Sequence, residues 1–257
     1  MKRVFIFMNR MKILLALCFA FLIIFPLNAF AGDLSEFNFI GFSKDGKYLA
    51  FEEYGEWLGE GGPDVSFSNY FVIDVEKNRY AINPIRISIE KQNALSTVRS
   101  RARLKAAPTL KKFGIIPNNT GQLMVSRMLT DKAYQTVGND GESIKVGFST
   151  EIDLGMGSPE GKDFEINLKT LSSKETGSCG NLSYRMELSI KDLKTKTEKF
   201  LHKDNDVPKE RNCPFYYGIQ YIYLYQNSLV VFLNSYVQGF ESRDMHYLAV
   251  TGKIVLN

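Results

Sequence analysis

Two histidines are the side chains in this sequence best suited to proton transfer near neutral pH, and both have aspartates close by in the chain. His202 precedes Asp204 and Asp206, and His246 follows Asp244. A histidine oriented by a carboxylate can act as a general base, so each is a candidate for hydrolytic chemistry. The plainer reading is a surface histidine among aspartates. The usual companions of hydrolysis are missing from the sequence: there is no G-x-S-x-G elbow, no H-E-x-x-H and no Cys/His cluster at metal-ligand spacing. Gly155-Met156-Gly157 with Gly161-Lys162 misses the dinucleotide spacing by one residue and lacks the Ser/Thr that follows the lysine of a P-loop, so it reads as a loop. No catalytic residue, metal or cofactor is assigned, and the balance is against an enzyme.

Binding chemistry has more to work with. Residues 86–112 carry eight bases (Arg86, Lys91, Arg99, Arg101, Arg103, Lys105, Lys111, Lys112) against one acid, Glu90. Arg99/Arg103 and Arg101/Lys105 are like-charge pairs at helical spacing, each destabilising an isolated helix by roughly 0.2–0.5 kcal/mol, so such a helix gains from an anionic neighbour. Arg99, Arg101, Arg103 and Lys105 are therefore candidate binding residues, with an envelope protein or an anionic envelope polymer as partner. The plainer reading is that these charges are solvated or partly paired within the protein. The stretch EEYGEWLGEGGPD holds Glu52, Glu53, Glu56, Glu60 and Asp64 with no base. On a strand Glu52 and Glu53 point to opposite faces, and without a D-x-D-x-D-G pattern no calcium site is assigned. Trp57, the single tryptophan, is either an exposed ligand contact or a packing anchor. Tyr221, Tyr223 and Tyr225 share one strand face, which could stack on sugars or fill a sheet.

The elements that must position these residues are mostly strands. FNFIGFSKDGKYLAFEEYG reads as a hairpin turning at Ser43–Lys47, with Gly46 free to take positive φ, and YFVIDVEKNRYAI repeats the pattern through Glu76-Lys77-Asn78. Near the C-terminus IQYIYLYQNSLVVFLNSYV turns at Gln226-Asn227-Ser228, and MHYLAVTGKIVL is expected to turn at Thr251-Gly252-Lys253. VGFST, FEINLKTLS, YRMELSIKDL and TEKFLHKD alternate as half-buried strands do. The exception is residues 88–107, rich in Ala, Leu, Arg and Lys, which predict one helix near 89–107 ended by Pro108. Leu95, Val98, Ala102 and Ala106 form its narrow apolar stripe, and Leu104 falls opposite.

The N-terminus sets the compartment. Four bases precede the apolar stretch Ile13–Leu27 and then Ala29-Phe30-Ala31, the layout of a secretory signal peptide cleaved after Ala31. At 15 residues, with Pro26 inside it, the stretch is short for a transmembrane anchor, which takes about 20. Leu17 before Cys18 and the apolar residues after it argue against lipid attachment. Residues 1–31 hold four of the 32 Lys/Arg and none of the 28 Asp/Glu, so residues 32–257 carry 32 − 4 = 28 bases and 28 acids and have no formal net charge. The basic character of the whole chain thus gives no support for nucleic-acid binding, and no later segment is long and apolar enough to span a membrane. Cys179 and Cys213 remain. In an oxidising compartment an isolated pair is most simply a disulfide, and closing about 35 residues would contribute roughly 3–4 kcal/mol.

FIGFSKDGKYLAFEEYG, YFVIDVEKNRY, the Ala-rich helix ending in Ala106–Pro108 and the closing GFESRDMHYLAVTGKI resemble a family of secreted bacterial proteins whose domain has no assigned function. The resemblance runs the full length, and it implies export to the periplasm or beyond and no activity. FSKDGKYLAF is also similar to the blade motif of periplasmic Tol-type β-propellers, over Phe37 to Tyr80, which implies blade-like sheets. The expected protein is a signal peptide (1–31) followed by one mainly β, antiparallel domain (32–257), with two or three propeller-blade-like two-hairpin units and one inserted basic helix. The first functional expectation is a non-catalytic envelope binding or scaffold module. The alternatives are an envelope hydrolase with a site assembled from separated strands, and a carbohydrate-binding module.

Overall fold

The computed structural model describes residues 34–57, 64–90, 94–130, 135–150, 163–173, 183–239 and 243–254. The leader and its cleavage site at Ala31, Glu60, Cys179 and the Gly155–Lys162 loop lie outside them.

The strands fall into three antiparallel sheets. Sheet 1 runs β1 (Glu36–Phe42), β2 (Tyr48–Trp57), β3 (Val65–Asp74) and β4 (Arg79–Tyr80), with β5 (Ile85–Glu90) also on β3. Sheet 2 is the meander β8 (Ser143–Phe148), β9 (Phe164–Ser172), β10 (Tyr184–Asp192) and β11 (Glu198–Lys203). Sheet 3 joins β12 (Tyr216–Tyr225), β13 (Ser228–Gln238) and β14 (Arg243–Lys253), and two short segments, β6 (Gln122–Ser126) and β7 (Thr136–Val137), pair with β12.

Strand alternation determines how the sheets stack. On β13, Leu229, Val231 and Leu233 pack with Ile166, Leu168 and Leu188 of sheet 2. The intervening Val230 and Phe232 pack with Phe39, Leu49, Phe51 and Phe71 of sheet 1. Sheet 3 is therefore a middle layer buried on both faces. The helix α1 (Leu95–Lys112) covers the far face of sheet 1, where its small Ala102 and Ala106 let it approach Tyr70 closely. The far face of sheet 2 carries ion pairs instead, Lys145–Glu165 at 3.0 Å and Lys203–Glu187 at 2.7 Å.

This order, helix, sheet 1, sheet 3, sheet 2, corrects the propeller expectation. Blades around a ring have neighbours on both faces. Here one end of the stack is closed by a helix and the other by charged side chains, so no ring closes. The three meanders themselves are antiparallel, as expected.

Three turns form where the sequence places them. Ser43–Lys47 closes β1–β2 with Gly46 at φ 64°, and the Asp45 carboxylate accepts from the Ser43 hydroxyl at 2.7 Å and from the Lys47 amide at 3.1 Å. Asn78, at φ 48°, connects all three sheets from the β3–β4 turn. Its amide nitrogen donates to the Leu201 carbonyl of β11 at 3.1 Å, and its oxygen accepts from the Thr251 N–H of β14 at 2.8 Å.

Two expectations about elements are overturned. Thr251-Gly252-Lys253 is not a turn but the end of an unbroken strand, paired with Ser228–Val230. Gly252 is small because β11 passes close by: a Cβ there would lie 2.6 Å from the Leu201 side chain. The helix does not begin near residue 89 or stop at Pro108. Ser88–Glu90 belong to β5, and α1 continues through Pro108 to Lys112. Pro108 sits on the exposed side of the helix, where water can take the Leu104 carbonyl that loses its amide partner. Leu104 itself is exposed, as expected.

The tyrosine ladder proves internal. Tyr221 stacks on Phe37 at 5.4 Å between ring centroids, Tyr223 meets Phe39 edge-on at 4.8 Å, and Tyr225 stacks on Phe42 at 5.3 Å. These contacts join sheets 1 and 3, so the tyrosines serve as packing.

Candidate functional site

Strand alternation sends Ala50, Glu52 and Tyr54 of β2 toward α1, and Glu53 the other way. Glu52 is buried beneath the helix. Both of its oxygens are fully used: Oε1 accepts from Arg99 Nε at 2.9 Å and Ser68 Oγ at 2.9 Å. Oε2 accepts from Arg99 Nη2 at 2.8 Å and Asn38 Nδ2 at 3.2 Å. The Arg99 guanidinium also lies 3.5 Å from the centroid of the Tyr54 ring. A planar fork held by a carboxylate and an aromatic face has little freedom. Arg99 is thus the internal partner of the acidic stretch rather than a free contact.

Beside this pair the helix overhangs sheet 1 and leaves a cavity of about 310 Å³, lined by Asn38, Glu52, Tyr70, Ser96, Arg99, Ser100 and Arg103. Tyr70 is 4% exposed. Burial, reinforced by the Glu52 charge and opposed by Arg99 and Arg103, pushes its phenol up to about 12, so it remains a hydroxyl donor. Among the described residues that hydroxyl has no hydrogen-bond partner, and Arg103 has no ion pair.

The basic segment does not form one surface. Around the helix, Arg99 and Arg103 lie on the flank facing the cavity, while Arg101, Lys105 and Lys112 occupy the opposite flank, exposed. Arg86 sits on β5 out of phase with Ile85 and Ile87, which pack under the helix. Trp57 stacks on Phe67 at 4.4 Å and meets His246 edge-on at 6.4 Å, with 36% of its surface exposed.

The two histidines lie in separate networks. His246 Nδ1 is 3.1 Å from Glu53 Oε1, which also accepts from the Tyr247 N–H at 3.1 Å on the edge strand of sheet 3. Burial pulls the imidazole pKa down, but the Glu53 hydrogen bond and the Glu53 and Asp244 charges outweigh it, leaving it above the usual histidine value. Ser235, opposite His246 in register, has a buried hydroxyl without a partner among the described residues. His202 Nε2 is 2.6 Å from Asp204 Oδ1, and Arg211 grips the same carboxylate through both Nη atoms. Burial opposes ionisation of Asp204, yet the His202, Arg211 and Met186 hydrogen bonds hold its pKa below the usual range. Neither network lines the cavity. Cys213 is disulfide-bonded, but Cys179, its expected partner, lies outside the described residues, so that pairing stays an expectation.

Asn38, Ser68, Tyr70, Ser96 and Ser100 were not singled out by sequence patterning. The one usable signal was the alternation that separates Glu52 from Glu53. It gave the face of Glu52 but not the helix residue above it.

Among the described residues, three antiparallel sheets and one α-helix place the molecule among mainly β proteins. Residues 50–253 match the family described as "Predicted secreted protein (DUF2259)", and the chain belongs to that family. No curated protein and no solved structure matches it, and none of these comparisons supports the likeness to a Tol-type blade.

Proposed function

We propose that this protein is a non-catalytic binding or scaffold module of the bacterial cell envelope, periplasmic or secreted, that engages an anionic envelope polymer through α1. The observation that carries this reading is the exposed flank of Arg101, Lys105 and Lys112 on a helix with no acidic residue between positions 91 and 112. Each base near an anionic surface contributes about 1 kcal/mol, so the three together correspond to roughly a hundredfold in affinity. Polyglutamate and polyphosphate serve as probes. Binding should weaken steeply as salt is raised, and changing Arg101, Lys105 and Lys112 together to Gln should remove most of it. Salt-independent binding, or a triple variant that binds normally, would overturn the reading. Failure with both polyanions but salt-sensitive capture of one acidic envelope protein would transfer the role to a protein partner.

A second reading rests on Glu53 and His246, which reach each other from different sheets in the arrangement a base and its orienting carboxylate adopt. It requires Ser235 or a water to become accessible beside His246. Envelope-ester or amide hydrolysis that disappears in His246→Gln would favour it.

A further inference from the structure

We propose that the cavity between α1 and sheet 1 is a binding pocket for a small organic monocarboxylate, separate from the polymer-binding flank. Arg101, Lys105 and Lys112 point away from it, so the pocket does not depend on that reading.

The pocket is rich in donors and has one spare positive charge. Glu52 and Arg99 neutralise each other, and all four Glu52 hydrogen bonds come from the protein. Among the described lining residues Arg103 is then the uncompensated cation, which favours a ligand of single negative charge. Its planar fork matches a carboxylate in bidentate fashion.

Tyr70 supplies the second recognition element. It is nearly fully buried, faces the cavity and has its hydroxyl unpartnered among the described residues. The ring is buried while the hydroxyl opens on the cavity, so an acceptor oxygen placed between Tyr70 and Arg103 would take a hydrogen bond from each. Ser96 and Ser100, one helical turn apart on the rim, can contact a hydroxyl or a second oxygen of the ligand. The helix start nearby has no side-chain cap and no acidic residue in its first turn, so it does not oppose an anion. At about 310 Å³ the space is at the lower end for ligand pockets, suited to a small acid rather than a nucleotide.

The test is calorimetric titration of the exported form of the full chain with acetate, lactate and inorganic phosphate. Lactate or acetate should bind, and Arg103→Gln should weaken binding by about tenfold or more, as for loss of a charged hydrogen bond. Tyr70→Phe should weaken it several-fold, and the Arg101/Lys105/Lys112→Gln variant should bind the acids unchanged. Thermal melts of each variant establish that it is folded. Absence of binding by the wild-type protein at tens of millimolar acid, or equal binding by folded Arg103→Gln, overturns the pocket. Tighter, Arg103-dependent binding of phosphate than of either acid overturns the monocarboxylate assignment.

Discussion

Arg99 reaches from α1 through the layer boundary and grips the carboxylate of Glu52 with two nitrogens, at 2.9 and 2.8 Å. The two ends of this pair differ: the Glu52 side chain is 1% exposed and that of Arg99 is 36% exposed. Removing the arginine leaves a buried charge with only Ser68 and Asn38, whereas removing the acid leaves a cation that water can reach. Arg99→Met should therefore destabilise the fold by about 3 kcal/mol and Glu52→Gln by about 1 kcal/mol. The double variant should recover part of the Arg99→Met loss because no unpaired charge stays buried. Denaturant unfolding of the four proteins measures the coupling directly.

The Glu53–His246 pair predicts a pH dependence of known sign. The folded pKa of His246 is raised above its unfolded value, which is about 6.5. The pair's contribution is therefore complete below that pH and is lost as pH rises through the folded value. Melting temperatures should fall on going from pH 6 to 9, and the slope should flatten in His246→Gln. In Glu53→Gln, burial acts with less opposition, so the His246 resonance should titrate at lower pH. An unmoved titration would show that Glu53 is not the cause.

Asn78 offers a test of how the sheets are joined. Replacing it with Ala removes the acceptor of the buried Thr251 N–H and the donor to Leu201, and it places a less tolerant residue at φ 48°. The expected loss is about 2–3 kcal/mol. Asn78→Gly, which keeps the backbone free but not the bonds, should lose about 1 kcal/mol less. Urea unfolding distinguishes the two contributions.

Much of this architecture was legible because strands announce themselves locally. The turns at Gly46, Asn78 and Gln226 depend on residues that tolerate positive φ, and the alternation of β8 and β9 marks one buried face, whereas β11 has no buried residue. The Val98–Ala102–Ala106 stripe was readable for the same reason. What escaped was set by distant partners. Gly252 looks like a turn glycine until Leu201 of another sheet is placed against it. Ser88–Glu90 looks helical by composition, but β3 offers an open edge that captures it as strand. Arg99 and Arg103 are alike in sequence, yet only one meets Glu52. No local pattern distinguishes them, and no pattern marked Tyr70 as a pocket residue.

The central position of sheet 3 bears on the order of assembly. Residues 216–253, at the far end of the chain, supply the surface against which both other sheets settle. Until they arrive, the faces of sheets 1 and 2 that sheet 3 covers meet only solvent, and only the contact of α1 with sheet 1 can form, so complete structure comes late. A chain moving through a translocation channel from its N-terminus would consequently stay pliable for nearly its whole passage, and a fragment ending before Tyr216 should be degraded rather than accumulate.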